Sequence, residues 1–172
     1  YEKAHNYYKR YDDKYASLTQ AFVLLEEGKL EEAEEAMDVV KKNASELTLI
    51  NYQDVALNFY HNLGQKHLEN EDYLSASVAY ENTLHSTKYK AEFNEVTYQA
   101  AKAMYAEDEY YNSFVLFSKI LGYKDSEDIY ASMTNTLYEE GMELYKQRQF
   151  NQAKERFEPL ALIGYRNSKT ML

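Results

Sequence analysis

The chain has 172 residues and carries 19 Lys and Arg against 29 Asp and Glu, a formal net charge of -10. Such an acidic surface repels phosphate backbones and excludes the usual nucleic-acid binder, which needs clustered cations. Apolar residues make up 45% and Gly and Pro number only 5 and 1, which excludes a disordered chain and predicts a folded one. No run approaches the roughly 18 apolar residues of a membrane span. With no Cys there is no disulfide framework, thiolate metal site or cysteine nucleophile.

The length fits a single domain over 1–172. It starts at Tyr1 rather than Met, inside what reads as a helix over about 1–13, so a fragment of a longer protein is expected, with any targeting or anchoring segment upstream. Nearly every following window spaces its apolar residues for helix rather than strand. The first hairpin, roughly 15–44, has Ala21, Leu24 and Leu25, a turn at Gly28-Lys29, then Leu30, Ala33, Met37 and Val40. The second, 46–88, has Phe59, Tyr60, Leu63, Gly64 and Leu68, a polar break at 69–72, then Tyr73, Ala76, Tyr80 and Leu84. The third, 91–121, has Tyr98, Ala101, Met104 and Tyr105, a break at 107–109, then Tyr110, Ser113, Phe117 and Ile120. The fourth, 126–163, has Leu137, Gly141, Leu144 and Tyr145, a break at 146–149, then Phe150, Ala153, Phe157 and Leu160.

Aligned on the small residue of each second helix (Ala33, Ala76, Ser113, Ala153), the copies are 43, 37 and 40 residues apart. The pattern resembles the tetratricopeptide repeat (TPR) family, carried by Leu63-Gly64 with Tyr73, Ala76 and Tyr80, and by Gly141 with Phe150, Ala153 and Phe157. The spacings exceed that family's usual 34, its Trp is absent, and its repeat-ending Pro is missing. The resemblance implies an all-α, right-handed α-solenoid of about four TPR-like helical hairpins.

Two segments, Leu121-Gly122-Tyr123-Lys124-Asp125-Ser126 and Ile163-Gly164-Tyr165-Arg166-Asn167-Ser168, are near duplicates. They read as junctions between hairpins: Gly closes one helix in the left-handed conformation, and Asp125 or Ser126 caps the next. Junctions of this kind resemble those of bacterial repeat proteins whose repeats often lie outside a membrane anchor. The expected compartments are therefore the extracytoplasmic side of a membrane-anchored bacterial protein or the cytoplasm.

In stacked hairpins the first helices line the inner surface, where such repeats hold a peptide or partner helix. The candidate groove residues are Asn58, His61, Gln65, Tyr98, Lys102, Tyr105, Asn135, Tyr138, Met142 and Tyr145. Each has a plainer alternative, contact with a neighbouring helix or with solvent. Tyr is the compositional outlier, 19 of 172, and most of its copies suit half-buried packing seams. Tyr98 and Tyr105, like Tyr138 and Tyr145, are seven apart and share helix faces, which makes them recognition candidates and keeps a stacked glycan or cell-wall ligand as an alternative. One TPR subgroup grips a C-terminal carboxylate with Lys, Arg and Asn. Here the matching positions hold Leu18 and Phe22, His61 and Gln65, Tyr98 and Lys102, and one Lys does not make that fork.

His5, His61, His67 and His85 show no metal spacing, and Glu26, Glu27, Glu31, Glu32, Glu34 and Glu35 read as a solvated helical surface. No Gly-rich phosphate loop is present. Pro159 should bend or end the last helix near Phe157. Residues 26–38 carry seven carboxylates and one Lys, whereas 146–169 carry six basic residues against Glu155 and Glu158; ordinary surface variation is one reading, association through opposite ends another. The expected function is non-enzymatic: a scaffold or adaptor that binds a protein or peptide in its concave groove, without metal, cofactor, nucleic acid or membrane insertion by this segment. Two alternatives stand beside it, the glycan ligand and a regulatory domain of an enzyme or signalling protein.

Overall fold

The computed structural model describes residues 1–11, 13–47 and 50–172, with side chains described for these except at 7–11, 13 and 14. The expected N-terminal helix over 1–13 and the start of the expected second hairpin include residues 12, 48 and 49, which lie outside the described residues. Among the described residues the chain is all-helical. Its helices are α1 (Glu2–Tyr11), α2 (Asp13–Glu26), α3 (Leu30–Lys42), α4 (Tyr52–Glu69), α5 (Tyr73–Glu81), α6 (Lys90–Ala106), α7 (Tyr110–Lys119), α8 (Ser126–Lys146) and α9 (Phe150–Leu162). Two 3₁₀ turns cover Ala44–Glu46 and Ser168–Thr170. Among the described residues no helix is long and apolar enough to cross a membrane.

α3 shows why these segments are helical. Leu30, Ala33, Met37 and Val40 are its buried residues and fall on one stripe at helical spacing. Glu31 and Glu32 lie in its first turn and Lys41 and Lys42 in its last, matching the helix dipole at both ends.

Four helix pairs, α2/α3, α4/α5, α6/α7 and α8/α9, are closed by one turn geometry. The amide of Gly28 donates to the Leu25 carbonyl at 3.2 Å and that of Lys29 to Leu24 at 2.9 Å. Glu71 to Leu68 (3.0 Å) with Asp72 to His67 (2.9 Å), and Asp108 to Tyr105 (3.3 Å) with Glu109 to Met104 (2.9 Å), repeat the arrangement. Arg148 to Tyr145 (3.0 Å) and Gln149 to Leu144 (2.9 Å) give the fourth copy. Bonds reaching three and five residues back are the Schellman closure, which needs one left-handed residue. That residue is Gly28 (φ 77°), Glu71 (60°), Asp108 (64°) and Arg148 (62°), so glycine serves once and three L-residues are held in the strained region. The following residue starts the second helix by accepting from the amides of Ala33, Ala76, Ser113 and Ala153 in turn. These four small residues are at most 1% exposed, because their position faces the first helix where the pair meets.

A second register runs through the pairs. Seven residues before each left-handed residue stands Ala21, Gly64, Ala101 or Gly141, and nine after it stands Met37, Tyr80, Phe117 or Phe157. All eight are buried. At Gly64 an added Cβ would lie 2.7 Å from the Tyr80 ring, and at Gly141 2.9 Å from the Phe157 ring. Glycine is required there because the aromatic face occupies the space of a methyl group.

The chain forms two compact units, Tyr1–Ala91 and Glu92–Leu172. In the first, α1 packs on α2, α2 on α3, α3 on α4 and α4 on α5. Its core includes Phe22 edge-on to Phe59 (5.5 Å between centroids) and Phe59 edge-on to Tyr60 (5.4 Å), an arrangement that ring quadrupoles favour. Burial pushes the Tyr60 phenol up to about 12. In the second, α7, α8 and α9 pack against one another. Ser113 Oγ donates to the Ala101 carbonyl at 2.8 Å, joining α7 to α6, and Phe114 stacks on Tyr130 at 4.2 Å.

Two local expectations are corrected. Of the two expected effects of Pro159, a bend or an end, the end is corrected: α9 runs through Pro159 to Leu162, since Pro159 is fully buried and tertiary packing outweighs a lost helical hydrogen bond. At the α7–α8 junction the Asp125 side chain makes no capping bond. It is engaged by Tyr98 instead, and Ser126 Oγ turns back to donate to the Ile120 carbonyl at 2.7 Å.

Candidate functional site

The two duplicated junctions build the most organised polar clusters of the second unit. After α7, Gly122 (φ 84°) and Lys124 (φ 49°) reverse the chain, which directs Tyr123, Lys124 and Asp125 back along α6. Tyr98 Oη donates to Asp125 Oδ1 at 2.6 Å and Tyr123 Oη to Glu95 Oε2 at 2.6 Å. Lys124 Nζ donates to the same Glu95 oxygen at 2.5 Å, and its ammonium lies 4.9 Å from the Tyr98 ring centre and 5.3 Å from that of Tyr123. Gln99 Nε2 completes the shell of Glu95 at 2.9 Å. The Lys124 ammonium first, then the Tyr123 hydroxyl and Gln99 amide, hold the Glu95 carboxyl down at about 2. In return the carboxylates of Glu95 and Asp125 raise the Tyr123 and Tyr98 phenols.

After α9 the arrangement is repeated with different chemistry. Gly164 (φ 64°) and Arg166 (φ 48°) make the same reversal. Tyr138 Oη donates to Asn167 Oδ1 at 2.6 Å and Tyr165 Oη to Asn135 Oδ1 at 2.8 Å. The Arg166 guanidinium carbon lies 4.5 Å from the Tyr138 ring centre and 4.9 Å from that of Tyr165. The tyrosine pairs themselves match: Tyr98 and Tyr123 meet at 6.2 Å and 73°, Tyr138 and Tyr165 at 5.7 Å and 79°. Ser126 and Ser168, both fully buried, anchor the two junctions, the latter through Oγ donating to the Tyr165 carbonyl at 2.6 Å.

The expected groove residues separate into two groups. His61, Tyr98 and Tyr138 occupy one register position and are tied inward. Their rings meet Tyr80, Phe117 and Phe157 edge-on at 5.8, 6.1 and 6.0 Å, and His61 also stacks on Tyr89 at 3.8 Å. Tyr98 is only 7% exposed. Asn135 is exposed but already accepts from Tyr165. Asn58, Gln65 and Lys102 are exposed, and Met142 is half-buried. Asn58 borders a cleft of about 300 Å³ in the first unit, lined also by Leu18, Phe22 and Val55. Lys102 lies over the Tyr98 ring at 5.4 Å. Tyr105 and Tyr145, 39% and 43% exposed, repeat one motif, each edge-on to the first aromatic of the next helix, Tyr110 and Phe150. Tyr110 in turn donates to Asp108, a bond that raises its phenol to about 12.

Sequence reasoning identified the junctions, with Lys124 and Arg166 in them but given no role, and missed Glu95. The available signal was the alignment itself. Glu95 and Asn135 stand in one column, three residues before Tyr98 and Tyr138, and a basic residue follows each junction tyrosine.

Comparison with protein-family models, with curated proteins and with solved structures gives no match for this chain.

Proposed function

We propose that this chain is a non-enzymatic interaction module whose first helices, α2, α4, α6 and α8, present side chains to a peptide or partner protein, in a TPR-like, right-handed solenoid of hairpins. The observation that carries this reading is the register shared by the four helix pairs. The Schellman turns put Gln65, Lys102 and Met142 at one position of successive first helices, six residues before the left-handed residue. Gln65 and Lys102 are exposed there. A register position repeated in this way offers spaced contacts to an extended ligand and needs no activated group. The exposed tyrosines support a peptide over a stacked sugar, because Tyr105 and Tyr145 pair edge-to-face with their neighbours, at 79° and 66°, and do not form parallel platforms.

The test is affinity capture from fractionated source cells with the immobilised chain, beside the triple variant Gln65→Ala/Lys102→Ala/Met142→Ala, followed by calorimetry with the purified partner. A partner bound by the parent and lost by a variant of unchanged circular dichroism supports the reading. Equal retention by both forms, or none by either, refutes it.

A further inference from the structure

The two junctions of the second unit match at five side chains and differ there in charge. Tyr98 matches Tyr138, Tyr123 matches Tyr165, Lys124 matches Arg166, Asp125 matches Asn167 and Glu95 matches Asn135. The matched side-chain hydrogen bonds, ring contacts and left-handed basic residue set these groups in the same arrangement, although the helix closures differ, the Tyr123 amide donating to the Ile120 carbonyl and the Tyr165 amide to that of Leu160. In the first junction the basic residue is paired with a carboxylate of its own chain, Glu95. In the second, both carboxylates are replaced by amides. Arg166 is exposed, and among the described residues its guanidinium lies over the two tyrosine rings and makes no side-chain hydrogen bond or ion pair. Its five N–H donors have no acceptor there.

We propose that Arg166, flanked by Tyr138, Tyr165, Asn135 and Asn167, is a docking point for a side-chain carboxylate in an acidic segment of a partner polypeptide. This names the partner chemistry of the interaction module and rests on that reading. The first junction shows the ligand directly, since a carboxylate oxygen there lies 2.5 Å from the cation and 2.6 Å from the junction tyrosine hydroxyl. Arginine in place of lysine suits a ligand that arrives from outside. Its planar fork, laid over aromatic rings, is preorganised for a two-oxygen acceptor. In sequence, residues 146–169 hold six basic side chains against two carboxylates in a chain of net charge -10, and three of the six, Lys146, Lys154 and Arg156, are paired with Glu143, Glu158 and Glu140. This is a hairpin junction, distinct from the first-helix positions at which a C-terminal carboxylate fork was sought and not found.

The experiment is a two-dimensional NMR titration of the whole chain, reading the Arg166 side-chain Nε–H and the backbone amides of 164–168. The probes are a hexaglutamate peptide, a hexaglutamine peptide and inorganic phosphate. Hexaglutamate should shift these signals saturably and hexaglutamine should not. Arg166→Gln should abolish the shift, and Asn135→Glu, which supplies an internal carboxylate as in the first junction, should weaken binding by about fivefold or more. A second readout needs no ligand: in Asn135→Glu the introduced carboxyl should titrate well below the usual range, as Glu95 does, and fall back toward it when Arg166→Gln is added. An ordinary titration there overturns the equivalence. Shifts equally strong with hexaglutamine or inorganic phosphate, or unaffected by either variant, overturn the ligand assignment. Silence at Arg166 beside a genuine partner bound along the first helices sinks this proposal and leaves the interaction module standing. Hexaglutamate at Arg166 with no partner retained by the first helices does the reverse.

Discussion

Gly64→Ala is the most direct test of how the helix pairs meet. On an exposed helix this change stabilises by about 0.5–1 kcal/mol, because alanine loses less backbone freedom. Here the new Cβ would meet two Tyr80 ring carbons at 2.7 and 2.8 Å, against an ordinary carbon contact of about 3.5–4.0 Å. The ring or the helix must therefore retreat by roughly 0.7 Å or more. Tyr80 has little room to do so, being 1% exposed and edge-on to His61 at 5.8 Å. Overpacking of this kind costs about 1–3 kcal/mol, so after a gain in helix propensity of about 0.5–1 kcal/mol the expected net loss is centred on about 1 kcal/mol, within roughly 0–2.5. Urea unfolding followed by circular dichroism at 222 nm measures it directly. The control is a double-mutant cycle with Tyr80→Leu, in which the pair should lose about 1 kcal/mol less than the sum of the single variants. A raised midpoint for Gly64→Ala, or no coupling to Tyr80→Leu in the cycle, would refute the close approach. Gly141→Ala, at 2.9 Å from Phe157, should fall in the same direction by a smaller amount.

Three further outcomes are expected. Arg148 holds a left-handed backbone with φ 62°, so Arg148→Gly should raise stability by about 0.5–1 kcal/mol once the looser unfolded chain is counted; denaturant melts check it, and a loss would deny the strain. Ser126→Ala removes a fully buried hydroxyl that donates to the Ile120 carbonyl at 2.7 Å and should cost about 1 kcal/mol, whereas no change in the melt would mean that the junction is not anchored there. Glu95 titrates at about 2 in the folded chain against an ordinary 4.5, so its contribution to stability is present above about pH 4.5 and is lost as pH falls toward 2. Carboxyl-detected NMR should show Lys124→Met moving this titration up toward the ordinary value, and an unmoved titration would remove Lys124 as the leading cause.

The sequence determined the helical class, because 3.6-residue spacing with scarce Gly and Pro leaves no other way to bury so many apolar residues. It also determined the repeat register. Ala33, Ala76, Ser113 and Ala153 align in the chain and occupy one position in the fold, since close packing at a single point of each pair admits only small side chains. Glycine at 64 and 141 was legible as a small residue, but the need for glycine was not, since it depends on where the Tyr80 and Phe157 rings come to rest. The left-handed turns were only partly legible. Gly28 announces one, whereas Glu71, Asp108 and Arg148 adopt the same conformation because the closing hydrogen bonds and the packed helices on either side impose it. Tertiary structure alone decided the junction chemistry. Glu95 and Lys124 stand 29 residues apart, as far as helical periodicity reaches they are unrelated surface charges, and the chain reversal after α7 makes them one ion pair. Pro159 follows the same logic: local rules place a break there, and the buried contacts of α9 carry the helix past it.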